Sequence, residues 1–107
     1  MEIEKLAENM GIDVEDSYEI LDIYKETTTS DLQKLKEALR KGDTQKAQDR
    51  VHSIKGASAN IGLDELFEQA REIEDRLKKK SPYELENLVQ VFSEEFERLV
   101  QDLEKIP

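Results

Sequence analysis

Apolar residues recur every three or four positions along most of this chain, which is the spacing of amphipathic helices. The first such run is short and is followed by Gly11, which predicts a brief helix that ends there. A second helix is predicted to begin near Asp13, and its apolar positions stay in phase as far as Gly42. The opening of the chain therefore predicts a short helix followed by a long one.

The weakest part of this pattern lies at residues 27–30, which read Thr-Thr-Thr-Ser. Threonine is a poor helix former, and Ser30 with Gln33 has the spacing of a capping box that would start a new helix. The apolar phase nevertheless continues from Thr28 to Leu32. We therefore predict one long helix, with a bend at the threonines.

Three more helices follow. The third is predicted from about Thr44 to Asn60, with Gly62 as a stop, and the fourth from 63 to 79. Ser81, Pro82 and Glu84 predict the start of the last helix, with serine as N-cap, proline at the first helical position and glutamate completing the box. Four long amphipathic helices with short connections predict an all-α fold, an antiparallel four-helix bundle with the first short helix across one end. We expect residues 1–107 to form one domain.

Charge and composition narrow the function. The chain has 26 acidic and 16 basic residues, a formal net charge of −10, and no cysteine. This balance argues against nucleic acid and anionic membranes as partners, and the absence of cysteine excludes disulfides and thiolate metal sites. No apolar run approaches the ~20 residues of a membrane span. We therefore expect a soluble, cytoplasmic protein.

The only histidine, His52, has unusual neighbours. Lys55, Gly56 and Ala59 lie three, four and seven residues further on, so a helix places all four on one face. The opposite stripe is mostly apolar and is predicted to be buried. It consists of Ala47, Val51, Ile54, Ser58 and Ile61. The helix is therefore predicted to present the imidazole outward, with almost no side-chain bulk beside it.

Several kinds of chemistry are poorly supported at this histidine. A zinc site needs about four ligands, and no such spacing is present. No nucleophile elbow or phosphate-cradling glycine loop occurs in the chain, so a hydrolytic triad and ATP binding are not indicated. We predict no cofactor, no metal and no autonomous catalytic activity.

The run from His52 to Gly62, His-Ser-Ile-Lys-Gly-Ala-Ser-Ala-Asn-Ile-Gly, resembles the signature of histidine-containing phosphotransfer (HPt) domains, which is H-x-x-K-G with a further glycine six residues on. The resemblance extends to Glu74 and covers most of the chain. It implies a phosphorelay intermediate of two-component signalling, in which His52 carries a phosphoryl group on Nε2. The partners implied are a receiver domain, a histidine kinase, or both, and we expect a monomer.

The same resemblance implies roles for the neighbours of His52. Lys55 would offset the charge of the phosphoryl group, and Gly56 would leave room for the partner. A helical glycine costs ~1 kcal/mol relative to alanine, so Gly56 needs a reason to be there, although it could also be a tolerated packing glycine. Glu74 would accept a hydrogen bond from Nδ1 and fix the reactive tautomer, or else be an ordinary surface glutamate.

Other residues are candidates for docking and for charge. Ser53, Ala59 and Asn60 flank the open face and are predicted to contact the partner. Ile3 and Ile12 would add a hydrophobic patch for a receiver helix, or simply cover the end of the bundle. Arg71 and Lys78 share the face of Glu74, and they either add positive charge near the phosphate or pair with Glu74 or Asp75.

Two alternatives remain open. The chain could be the phosphoacceptor module of a chemotaxis-type histidine kinase, in which the position of Glu74 is also glutamate. It could also be a helical interaction module that is never phosphorylated. The second alternative predicts that partner binding survives loss of His52.

Overall fold

The computed structural model describes residues 3–81 and 84–104, and every regular element within them is a helix. The helices are α1 (Ile3–Met10), α2 (Val14–Lys41), α3 (Thr44–Ile61), α4 (Asp64–Lys78) and α5 (Leu85–Glu104). The predicted all-α fold is confirmed. None of the helices in these two ranges has the length and apolar character to cross a membrane.

The long helix α2 runs without interruption through the threonines. The Thr29 hydroxyl donates to the carbonyl oxygen of Lys25 at 2.7 Å, so it finds its partner inside the helix instead of breaking it. The alternative capping box at Ser30 and Gln33 is therefore wrong. α2 ends at Gly42, whose left-handed backbone closes the last turn.

The start of the last helix differs from the prediction. Glu84 was expected inside the helix, but its backbone is left-handed, with φ at 62°, and α5 begins one residue later at Leu85. Ser81 closes the preceding helix instead, because its backbone N–H donates to the carbonyl of Arg76 at 3.0 Å. The predicted first helical residue, Pro82, lies outside the described residues.

Side-chain hydrogen bonds show that α3 is antiparallel to both of its neighbours, α2 and α4. Between α2 and α3, Tyr24 pairs with Ser58 at 2.8 Å, and Ser53 donates to Asp31 at 2.9 Å. Later positions on α2 thus meet earlier positions on α3. Between α3 and α4, Gln48 reaches the carbonyl of Leu77 at 3.5 Å, and residues further along α3 meet Glu74, which lies earlier on α4.

The core lies where the apolar stripes of the helices meet. Its most deeply buried side chains come from every long helix: Leu21, Leu35, Val51, Ile54, Ile73 and Phe92. Tyr24 on α2 makes an edge-on contact with Phe96 on α5, with ring centroids 6.0 Å apart. α1 packs on α2 through the buried residues Leu6 and Ala7. The burial of Val51 and Ile54 fixes the rotation of α3 and with it the direction of His52.

Candidate functional site

His52 projects from the solvent-facing side of α3. Its neighbours Val51 and Ile54 are buried in the core, while 70% of the His52 side chain is exposed. The helical period therefore places the apolar stripe on the buried side of α3 and the imidazole on the opposite, exposed side. The predicted outward orientation of the ring is present in the structure.

Glu74 on α4 lies directly beside the ring. Its carboxylate oxygen Oε2 is 2.8 Å from His52 Nδ1, and its other oxygen, Oε1, accepts a hydrogen bond from Lys55 Nζ at 2.6 Å. The Glu74 side chain is only 3% exposed, so it is not an ordinary surface glutamate. The sequence resemblance located this residue, and the structure brings it together with His52 and Lys55.

The turn between α3 and α4 makes this meeting possible. Gly62 ends α3 with a left-handed backbone, φ 81°, and its N–H donates to the carbonyl of Ala59 at 3.1 Å. A residue with a Cβ is disfavoured in this conformation, which explains the second glycine of the sequence motif. The tight turn sends α4 back along α3 and places Glu74 level with His52.

The charge on Glu74 determines the state of the ring. Burial raises the pKa of the Glu74 carboxyl, but the hydrogen bonds from Lys55 and His52, with the nearby positive charges of Lys55 and Lys78, outweigh burial and leave the pKa below its ordinary value. Glu74 is therefore ionised at neutral pH. Because a carboxylate only accepts hydrogen bonds, Nδ1 of His52 must carry a proton, and in the neutral ring the lone pair then lies on Nε2.

Gly56 leaves open space one turn beyond His52. A Cβ built at this position would have no heavy atom within 4 Å apart from its helical neighbours. Gly56 is therefore not required for packing inside this chain, in contrast to the packing glycine considered from the sequence. Any need for a small residue here must come from outside the molecule.

The three predicted docking residues, Ser53, Ala59 and Asn60, are all exposed on α3. The Ser53 hydroxyl, however, donates to the buried carboxylate of Asp31, which also pairs with Arg50 at 3.4 Å. Ser53 therefore helps to join α3 to α2 in addition to flanking the open face. Sequence reasoning missed Asp31, although it lies three residues after Thr28 and four before Leu35, in phase with the buried side of α2.

A shallow depression of about 470 Å³ lies beyond Ala59 and Asn60, where Met10, Ile12 and Ile20 supply apolar walls. The side chain of Ile3, the other predicted patch residue, lies outside the described residues. One turn along α2 from Ile20, Ile23 is 65% exposed. The sequence gives one signal for Ile23, which is an isoleucine outside the apolar phase of α2.

The two basic residues near Glu74 behave differently. Arg71 pairs with Glu68 on the exposed side of α4, whereas Lys78 Nζ lies 3.8 Å from Glu74 Oε1. Only Lys78 belongs to the cluster around the histidine. Within residues 3–81 and 84–104, no three His, Asp or Glu side chains are arranged to hold a metal ion.

Comparison with protein families identifies one match. A family model described as Hpt domain matches residues 19–106, which includes α3, α4 and the whole cluster around His52. Comparisons with curated proteins and with solved structures found no match. The family match covers most of the chain and includes the exposed histidine.

Proposed function

This chain belongs to the Hpt domain family, whose members are phosphotransfer modules of two-component signalling, and from that premise we propose that it is a phosphorelay intermediate. His52 takes a phosphoryl group from one partner and exchanges it with the aspartate of a receiver domain. The observation that carries the proposal is the hydrogen bond of Nδ1 with buried Glu74, on a ring whose other edge is open to solvent.

The chemistry follows from this tautomer. The Nε2 lone pair attacks the phosphorus of the receiver's aspartyl phosphate in line with the bond to the carboxyl oxygen. The N–P bond forms, the P–O bond breaks, and the aspartate leaves as a carboxylate. The ring becomes cationic because the proton stays on Nδ1, and the negative charge of Glu74 stabilises it. The reverse reaction returns the phosphoryl group to a carboxylate and restores the neutral ring.

Lys55 and Gly56 support the same reaction in different ways. Lys55 Nζ is held beside the ring by Glu74 and can offset the negative charge that the phosphoryl group brings. Gly56 admits the surface of a receiver close to Nε2, because nothing projects from α3 at that point. A carrier of this kind needs no ATP site of its own, since donor and acceptor supply the energy and the metal ion.

The depression lined by Ile12 and Ile20, together with exposed Ile23 one turn further along α2, is the proposed docking surface for the receiver. It continues from Ala59 and Asn60, which follow Gly56 on α3. Apolar side chains left exposed together commonly mark protein contacts. Docking here would place the receiver over the open face of α3, with its active site above His52.

The deciding experiment is phosphoryl transfer from a panel of receivers labelled on aspartate. We expect acid-labile, alkali-stable label on the wild-type protein and none on His52→Gln, with far-ultraviolet circular dichroism showing that both are folded. Failure of every receiver to transfer label would reject the relay. Undiminished partner binding by His52→Gln, together with no label on the wild type, would favour the unphosphorylated interaction module.

A further inference from the structure

The two oxygens of the Glu74 carboxylate have separate partners. Within residues 3–81 and 84–104, the polar partner of Oε2 is the ring, at 2.8 Å from Nδ1, while Oε1 faces two ammonium groups. Lys55 Nζ from α3 is 2.6 Å from Oε1, and Lys78 Nζ from α4 is 3.8 Å from the same oxygen. Lys55 is therefore the nearer cation to Oε1, and Lys78 lies further from it.

This arrangement creates a conflict once the ring is phosphorylated, and the inference below rests on the proposed phosphotransfer. Lys55 would then have two acceptors, the buried Oε1 of Glu74 and the new phosphoryl oxygens. If Lys55 turns to the phosphoryl group, the cationic ring still donates to Oε2, but Oε1 loses its nearest cation while the Glu74 side chain remains 3% exposed. A buried carboxylate oxygen without a hydrogen-bond donor is unfavourable, so the turn of Lys55 is opposed unless another cation takes its place at Oε1.

We propose that Lys78 is a positioning residue that takes over Oε1 of Glu74 when Lys55 turns to the phosphoryl group on His52. Lys78 is suited to this exchange because it is already within ion-pair distance of the same oxygen. Its side chain is 57% exposed, compared with 23% for Lys55, so it can move to Glu74 without leaving a buried environment. Glutamate followed by lysine four residues later is also the favourable order on a helix.

The exchange makes the neutralisation of Glu74 independent of Lys55. Before phosphorylation, Glu74 is neutralised mainly by Lys55, and loss of Lys78 has little effect. After phosphorylation, Oε1 of Glu74 depends on Lys78 for its donor, while Oε2 keeps the Nδ1–H of the cationic ring. A purely structural lysine at position 78 would contribute equally in both states.

The test compares Lys78→Met with Lys79→Met, a matched change at the next residue, which is exposed and outside the cluster. Phosphoramidate loads the histidine without any protein partner: Nε2 bonds to phosphorus, the P–N bond breaks, and ammonia leaves. The readout is the ¹³C chemical shift of the Glu74 side-chain carboxyl at mildly alkaline pH, before and after loading, because the N–P bond of phosphohistidine is stable in alkali but not in acid. The Glu74→Gln spectrum assigns the signal.

In the unphosphorylated proteins we expect the same Glu74 carboxyl shift in all variants, because Lys55 occupies Oε1. After loading, the carboxyl shift of Lys78→Met should depart from that of wild type and Lys79→Met, because its Oε1 has lost both lysines. Lys78→Arg should restore the wild-type shift. Equal carboxyl shifts of loaded Lys78→Met and Lys79→Met would overturn the exchange.

The test separates this inference from the proposed function. If phosphoramidate loads His52 but no receiver exchanges label with it, the relay is rejected while the carboxyl shifts still decide the role of Lys78. If the wild type is loaded and exchanges label normally, but Lys78→Met behaves like Lys79→Met, only the inference fails. If neither phosphoramidate nor any receiver loads His52, both are overturned, since both require a nucleophilic Nε2. If only a receiver loads it, that receiver replaces phosphoramidate in the comparison of the variants.

Discussion

A single buried carboxylate links the stability of this protein to its site. Because the pKa of Glu74 is lowered from its ordinary value of 4.5 in the folded protein, the folded state binds the Glu74 proton less readily than the unfolded chain. Its contribution to folding is therefore complete above pH 4.5 and disappears as the pH falls through the lowered folded-state pKa. The residue that orients the histidine should thus also contribute to acid sensitivity.

This effect predicts the behaviour of Glu74→Gln. We expect its free energy of unfolding to fall less steeply than that of wild type when the pH is lowered from 5 to 3, because glutamine keeps an acceptor for Nδ1 but cannot be protonated. Urea denaturation at a series of pH values measures this slope. Glu68→Gln, an exposed matched change on α4, should retain the wild-type slope, and an equal change in both variants would contradict the linkage.

Gly56 predicts opposite effects on stability and transfer. Gly56→Ala fills open space in a helix, so it should raise stability by up to ~1 kcal/mol. For a domain near this size, the corresponding rise in Tm is roughly 4–8 °C. Gly56→Gln should keep the fold but slow phosphoryl transfer from a receiver, because its side chain stands where the partner must approach. Calorimetry and transfer rates check the two effects, and wild-type transfer by Gly56→Gln would remove the steric role.

At the scale of elements, Asp31 joins α2 to α3 just behind the histidine. Its side chain, 9% exposed, accepts from Ser53 at 2.9 Å and from Arg50 at 3.4 Å. Removing this acceptor leaves two donors without their partner, and Nε of Arg50 already has none. Loss of the Asp31 carboxylate should therefore destabilise the packing of α2 against α3.

We predict that Asp31→Ala lowers the free energy of unfolding by about 1–3 kcal/mol. Ser53→Ala should cost less, about 1 kcal/mol, because it removes one hydrogen bond and leaves Arg50 paired. Chemical denaturation of the two variants measures both values. A larger loss in Ser53→Ala than in Asp31→Ala would show that the serine, and not the carboxylate, holds the helices together.

The sequence predicted elements better than it predicted their ends. The phase of apolar residues located all five helices of the described ranges, because burial of one stripe decides where a helix forms. Ser30 and Ser81 each belong to a local capping pattern. No helix begins at Ser30, however, because the core face of α2 is continuous there. Ser81 serves the end of α4. Local patterns fail where tertiary contacts decide which helix end uses a polar group.

The residues of the site also differ in how far the sequence predicts their positions. His52, Lys55 and Gly56 are close in sequence, and the helical period alone places them on one face. Glu74 lies 22 residues away, so its contact with the ring depends on how α3 and α4 pack. The resemblance to a family supplied it, and periodicity could not. Asp31 and Ile23 were missed by both approaches. Neither residue belongs to the motif, and periodicity assigns no role to a charged residue on the buried side of a helix or to an apolar residue on its exposed side.

At the scale of the whole molecule, charge is unevenly distributed. Residues 1–33 hold ten acidic and two basic residues, while residues 34–81 hold twelve basic and nine acidic ones. The exposed Ile23 thus lies in the acidic part, and Lys55 and Lys78 lie in the other. A receiver that fits this surface should place basic residues around the apolar contact with α2.

Two exposed apolar residues allow a matched test of that surface. Ile23→Ala should weaken binding of a receiver that exchanges label with His52, because it removes apolar area beside the open face of α3. Val91→Ala, a similar change on α5, which packs on α4, should leave binding unchanged. Titration calorimetry with one such receiver compares them. Equal affinities for both variants would move the docking surface away from α2.

All the contacts to Glu74 described above come from one pair of helices, which the turn at Gly62 joins. The described core packing of α1, α2 and α5 steadies this pair but contributes no contact to the carboxylate. The geometry is thus a property of an antiparallel hairpin of 35 residues, from Thr44 to Lys78. Grafted in the same register onto an unrelated stable bundle, that hairpin would carry the histidine, its acceptor and both lysines as one transplantable unit.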